Sequence, residues 1–379
     1  MDNKTWTPIF FSYFLGTFHP FTIRHTNGGG TMGLPRSEYV QEGKVGVYHC
    51  TTRCVRRAFL AGYDSSSGRD FSHRKQWIED RLQLLASIFS VEVTTFSVMS
   101  NHYHVTLRIR PDIVETWSDD EVASRWLTLC PKRYRSKKKA IEPVEEQVRN
   151  LALCTERIAE LRKRLGSLSW FMRYLNEFIA RAANKEDGVK GRFWESRFKC
   201  QALLDYAAVA ACMVYVDLNP IRAGMAETPE DSDFTGIQQR IRIWRQKTSS
   251  ASPSTRIPDK SRAGTSEPLS SSWLCPIFAE GDNWDILPMS EKEYFTLVDK
   301  SGRILRSDKR GAMDADLAPI LERIGAKPEE WADTISCFED KFRLAAGLLE
   351  NLRKFADQLG KRWFTGLSAS RRVFEPLKS

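Results

Sequence analysis

Apolar and polar positions recur with periods that change from segment to segment along the chain. Residues 45–53 alternate and are rich in β-formers, which predicts a strand. In 72–89, Trp77, Ile78, Leu82, Leu84, Leu85, Ile88 and Phe89 fall at helical spacing. Val91–Val98 and His102–Ile109, separated by a turn at Ser100-Asn101, predict a β-hairpin. Asp119–Leu129 reads as a short amphipathic helix with Ser118 as its N-cap. A helix over 170–183, a strand over 191–203 and a helix over 206–218 follow, the last stopped by Asn219-Pro220. Beyond 273 the pattern is helical, most clearly over 338–359. The order strand, helix, hairpin, helix, strand, helix predicts an α+β domain with an antiparallel sheet over residues 34–246.

Other segments interrupt this pattern. Residues 1–33 end in Gly28-Gly29-Gly30 and precede a second start-like Met32, so they are expected to be a disordered leader or an upstream start. Residues 132–165 form a charged insertion opening on Lys132-Arg133-Tyr134-Arg135-Ser136-Lys137-Lys138-Lys139 and ending in a helix. Residues 247–272 are dense in Ser, Pro and Thr, a linker composition. Residues 273–379 then read as a helical region of open role.

Composition adds a partner class. Lys and Arg number 57 against 48 Asp and Glu. From Trp273 onward there are 17 basic and 18 acidic residues, leaving 40 and 30 in the remainder. The whole excess therefore sits in the first part, which points to a polyanion. Eight scattered cysteines without a CxxC pair read as reduced thiols and give little support to a zinc cage. The apolar stretch 9–21 is broken by polar residues and too short to cross a bilayer, so no membrane association and a cytoplasmic location are expected.

His102 and His104 lie two apart in an expected strand, so both imidazoles share a face and can converge on one ion. Two surface histidines would give the same pattern. Tyr215 and Asn219 are four apart at a helix end, on one helical face. A phenol there can attack phosphorus and the amide oxygen can act as a third ligand. Equally, Tyr215 can be a packing aromatic and Asn219 a helix stop, with Tyr48, Tyr103 and Tyr206 as rival phenols.

The run Met99-Ser100-Asn101-His102-Tyr103-His104 resembles the metal-binding motif of HUH single-strand nucleases, with Tyr in the middle position. Tyr215-Val216-Asp217-Leu218-Asn219-Pro220-Ile221-Arg222-Ala223-Gly224 is similar to the tyrosine motif of REP-associated tyrosine transposases. Gly191-Arg192-Phe193-Trp194-Glu195-Ser196-Arg197-Phe198-Lys199 resembles that family's G-x-x-W-x-x-R-[FY]-K strand, and Tyr48-His49 with Thr52-Arg53 its opening strand. The four motifs stand in the family's order over about half the chain.

The resemblance implies a ferredoxin-like antiparallel sheet with packed helices, His102 and His104 as metal ligands, and Tyr215 as nucleophile. Asn219 stands where related insertion-sequence transposases carry a Gln as third ligand. The implied activity is cleavage and rejoining of single-stranded or hairpin DNA through a 5′-phosphotyrosine. A neutral, incomplete ligand set facing a phosphate suits Mg2+ or Mn2+. Arg192, Arg197 and Lys199, interleaved with Phe193, Trp194 and Phe198, fit backbone tracking and base stacking. Arg53, Arg56, Arg57, Lys137 and Lys138 are further candidate phosphate contacts, although such charges also serve simply as solvated faces. The chain departs from the family in its basic insertion after Pro131, in lacking the Trp-Ser-Ser ending, and in about 130 extra C-terminal residues. A homodimer stays open, as do a non-catalytic, domesticated hairpin-binding regulator and an RNA-binding protein using the same sheet.

Overall fold

The strand Gly46–Arg53 (β1) is flanked on both sides by antiparallel partners, and the mixed sheet grows from it. The structure is a computed structural model and describes residues 34–55, 60–65, 67–131, 143–250, 272–278, 286–306 and 317–374. By internal contacts the chain divides into Met1–Pro35 and Arg36–Ser379, and every described helix and strand belongs to the second unit. Tyr63–Asp64 (β2) and Arg69–Asp70 (β3) make a small separate ribbon. Val91–Val98 (β4), His102–Ile109 (β5), Lys199–Leu203 (β6) and Ala345–Ala346 (β7) complete the main sheet in the order β4-β5-β1-β6-β7. All neighbours are antiparallel except β6 and β7, which are parallel.

Alternation along β5 sends its side chains to two covered faces. The buried Tyr103 donates its hydroxyl to Asn176 of helix Leu168–Glu186, at 2.8 Å. Thr106, of opposite parity, meets Cys212 of helix Tyr206–Asp217 at 3.7 Å. The second face therefore carries His102 and His104. Helix Tyr206–Asp217 begins at Asp205, whose carboxylate accepts from the Ala208 N–H at 3.1 Å. From Ala207 to Asp217 every residue is buried, as expected for a helix apolar on all sides. Ser118 caps Asp119–Leu129 by accepting from the Glu121 N–H at 3.1 Å.

The structure corrects two local expectations and extends a third. The strand expected over 191–203 is confined to Lys199–Leu203. Gly191 has a positive φ of 113°, and the exposed run Glu195-Ser196-Arg197 has no buried alternate face. Trp194 makes only an isolated bridge with Cys54. The helix expected over 206–218 does end before Asn219-Pro220, at Asp217, and Pro220 then opens a separate short helix, Asn219–Arg222, where its missing N–H leaves no bond unmade. The helix expected over 338–359 is broken into Phe338–Lys341, β7 and Leu349–Gln358. The backbone there pairs with β6 instead, with Ala202 N–H to Leu344 O and Leu204 N–H to Ala346 O both at 2.9 Å. Gly347 permits this approach, since a Cβ would lie 2.9 Å from Leu204 Cβ.

Of the basic insertion, helices Glu145–Ala152 and Thr155–Leu165 are described, while 132–142 lie outside the described residues. The same holds for the expected leader 1–33 and for 251–271 of the Ser/Pro-rich segment; residues 247–250 belong to helix Gly236–Ser250. The C-terminal region packs on the tyrosine-bearing helix. Tyr294 of helix Glu291–Arg306 donates its hydroxyl to the buried Asp217 carboxylate, and Phe338 lies against Tyr215. No helix among the described residues is long and apolar enough to cross a membrane.

Candidate active site and metal centre

Register along β1 and β5 sets the site: Arg53 stands opposite His102, and Thr51 opposite His104. The two imidazole centroids are 4.9 Å apart. His49, diagonal to His104 across the strand pair, stacks on its ring at 5.2 Å with an interplanar angle of 12°. Tyr215 meets both rings edge-on, at 5.6 Å from His104 and 6.0 Å from His49. The rival phenols are otherwise placed. Tyr103 faces the other side of the sheet, Tyr48 Oη accepts from the Gln41 N–H at 3.3 Å, and Tyr206 is exposed at the helix start.

Hydrogen-bond polarity fixes the protons. The Thr51 hydroxyl donates to Glu339 Oε1 at 2.7 Å. With its one proton so used, Thr51 Oγ1 can only accept from His104 Nδ1, 3.2 Å away. That nitrogen also lies 3.0 Å from His49 Nε2, so the Nδ1–H is shared between two acceptors. His49 Nδ1 then carries the proton toward Gln201 Oε1 at 3.4 Å, and the Gln201 amide donates to the Phe342 carbonyl. His102 Nδ1 is engaged with Asn101 Oδ1, which can only accept. In both rings Nε2 is left with a lone pair. His104 Nε2 is fully buried with no hydrogen-bond partner among the described residues.

Electrostatics keep these rings neutral. Burial, with the Arg53 and Lys199 charges, pushes His102 down to about 4, against a weaker opposing pull from Glu339. Burial, then the neighbouring His49 and His102, holds His104 well below the usual imidazole range. His49 is lowered by burial, partly offset by Glu339. Tyr215 is only 7% exposed. Burial and the Glu339 charge raise its phenol, and the Arg222 guanidinium, 4.8 Å from the ring centre, lowers it.

Glu339 went unnoticed in the sequence because no local motif marks it. Its carboxylate oxygen lies 3.7 Å from His104 Nδ1 and 4.0 Å from His49 Nε2. The ligand atoms of His49, His104 and Glu339 all fall within 4.8 Å of one another, a grouping that could hold a divalent ion. Phe338, one residue earlier, tilts against Tyr215 at 5.8 Å, and Arg222 donates to the Ser336 carbonyl. One stretch of the C-terminal region, whose role the sequence left open, thus covers the site.

Asn219 is buried in the helix that follows Tyr215, and its side-chain amide makes no hydrogen bond to either histidine. Arg53, Arg192, Arg197 and Lys199 are exposed. Trp194 is half-buried: its indole N–H donates to Asn176 O at 2.9 Å and its ring packs on Tyr103 at 5.8 Å, which favours a packing role over base stacking. Arg56, Arg57, Lys137 and Lys138 lie outside the described residues.

No protein-family model matches the chain, and no curated protein does. A solved structure of a REP-associated tyrosine transposase bound to a REP hairpin is similar at 12% sequence identity, over 56% of this chain and 86% of that one, with a TM-score of 0.29.

Proposed function

We propose that the chain is a metal-dependent enzyme that cleaves and rejoins single-stranded or hairpin DNA through a phosphotyrosine at Tyr215. One observation carries the reading. Both imidazoles of the His102-Tyr103-His104 triplet hold their proton on Nδ1 and offer Nε2, and the Tyr215 ring stands edge-on to His104 at 5.6 Å. The order β4-β5-β1-β6, all antiparallel, with helices Arg74–Ile88 and Leu168–Glu186 in the two connections, supports the ferredoxin-like arrangement, with β7 an addition at its edge.

In this reading His102 Nε2 and His104 Nε2 hold the ion, with the Asn219 amide oxygen as third ligand. Neutral imidazoles suit that task, and the orphaned buried nitrogen of His104 fits a ligand better than a free group. A bound Mg2+ or Mn2+ supplies charge that polarises the scissile phosphate. Exposed Arg53 and Lys199, whose charges are felt at His102, attract the backbone, with Arg192 and Arg197 farther along it. The Tyr215 oxygen bonds to phosphorus as the bond to the 3′-oxygen breaks. The phenol gives up a proton and the leaving 3′-oxygen gains one, so no net proton is needed. Arg222 offsets part of the burial that opposes the phenolate. A 3′-hydroxyl later reverses the step without ATP.

The test is incubation with hairpin-bearing single-stranded DNA and Mg2+ or Mn2+. A covalent adduct that Tyr215→Phe abolishes, with binding retained, is the expected result. An undiminished adduct in that variant refutes the assignment. The near-complete burial of Tyr215 favours a second reading, a non-catalytic regulator that binds hairpin DNA or RNA. Nucleic-acid binding with no adduct under either ion would select it.

A further inference from the structure

We propose that His49 and Gln201 are positioning residues that lock His104 into its ion-binding tautomer, and that the Phe342 carbonyl of the C-terminal region sets the direction of the whole relay. The inference rests on the reading above, in which His104 Nε2 is a ligand.

The chain of donors starts from a group that cannot donate. A backbone carbonyl only accepts, so Gln201 must turn its Nε2 toward Phe342 O and its Oε1 toward His49. An acceptor at Oε1 requires the proton on His49 Nδ1, which leaves a lone pair on His49 Nε2. That lone pair, 3.0 Å from His104 Nδ1, requires the proton there, and so His104 Nε2 is bare. Thr51, its own proton committed to Glu339, lies nearer to His104 Nδ1, at 3.2 Å, than to His49 Nε2, at 3.5 Å, and so favours the same choice from a second direction. The three side chains come from β1, β5 and β6, and all are at least 96% buried, so bulk water does not compete for these bonds. A metal-bound imidazole gains positive character at its remaining N–H, and an acceptor on that proton strengthens the ligand. His49, with the Glu339 carboxylate 4.0 Å from its Nε2, is that acceptor.

The competing placement puts the ion between His49 Nε2, His104 Nδ1 and Glu339. It would move the proton of His104 onto Nε2, which is buried and has no acceptor within reach among the described residues. The relay avoids that orphan.

Affinity for Mn2+ alone, followed on the full chain by the electron paramagnetic resonance of free Mn2+, tests the idea without DNA or turnover. His49→Leu and Gln201→Leu should weaken binding by roughly 10–100-fold, the usual effect of losing a group that orients a ligand. His49→Gln, which keeps an acceptor near the same place, should stay within about threefold of the parent, as should Glu339→Gln. His102→Ala should lose binding as a lost ligand does. Parent-like affinity in His49→Leu overturns the relay. Equal losses in His49→Gln, Glu339→Gln and His49→Leu overturn it in favour of the competing placement. Should His49→Leu fail to fold, the 15N spectrum of the unsubstituted protein decides, since a protonated Nε2 on His104 sinks the proposal. Mn2+ affinities that follow this pattern without any DNA adduct would sink the enzymatic reading alone.

Discussion

Asp217 lies two residues beyond the proposed nucleophile and is fully buried. Its carboxylate receives the Thr95 hydroxyl from β4, the Ile237 N–H at 3.1 Å and the Tyr294 hydroxyl from the C-terminal region. Truncation in Asp217→Ala leaves three buried donors unmatched, and at about 2 kcal/mol each this amounts to roughly 6 kcal/mol. Against it stands the cost of holding a charge there. Burial pushes Asp217 up to about 6 from a usual 3.8, although the Thr95 and Tyr294 hydroxyls pull it down. The folded chain thus binds the proton more tightly than the unfolded chain. This group's contribution is complete below about pH 4 and declines as pH rises through about 6, by about 3 kcal/mol. The net loss in Asp217→Ala should therefore be about 3 kcal/mol at pH 7 and grow toward about 6 kcal/mol at pH 4. Urea unfolding at intervals from pH 4 to 7 measures both quantities. Asp217→Asn, which cannot titrate, should lack the parent's decline over that window. A loss below 1 kcal/mol at pH 7, or one that does not change with pH, would refute this account of the carboxylate.

Two further substitutions probe the packing around the site. A methyl group at Gly236 would sit 2.9 Å from the Thr95 Cα and nearer still to its hydroxyl, so Gly236→Ala should destabilise by about 1–3 kcal/mol in a denaturant melt. A neutral result would mean that helix Gly236–Ser250 stands farther from β4 than described. Phe338 is fully buried between Tyr215 and Phe342, at 5.8 and 5.3 Å, so Phe338→Ala should cost about 3–5 kcal/mol. Tyr215 should then become open to nitration, mapped by mass spectrometry, and continued protection would show that another group covers the phenol.

What the sequence disclosed was local. Apolar and β-former content located β1, the β4–β5 hairpin and helix Tyr206–Asp217, because each is a contiguous segment buried over nearly its whole length. The same rule failed over 191–198, where Phe193 and Phe198 are buried but pairing beyond β1 is limited to the isolated bridge of Trp194 with Cys54, too little to impose a pleat. It failed again over 338–359. Ala345 and Ala346 are good helix formers, and only their pairing with β6, remote in the chain, holds them extended. At the site, His102, His104 and Tyr215 stood in recognisable runs. Glu339 did not: a single carboxylate gains meaning only from two imidazoles more than two hundred positions away. His49 was visible as part of an opening strand, but its role depends on register, which places it diagonal to His104.

The bond from Gln201 to the Phe342 carbonyl spans 141 positions of sequence. A ribosome that has translated as far as Arg222 has already supplied His102, His104, Tyr215 and the cations around them, but not the carbonyl from which the proposed relay to His104 starts. A nascent or prematurely terminated product of this gene would carry the whole recognisable motif set and the Asn101 contact that orients His102, yet lack the acceptor from which the proposed relay orients His104. Under the proposed relay, the tautomer of His104 would be set only in the last part of synthesis, once Phe342 is in place.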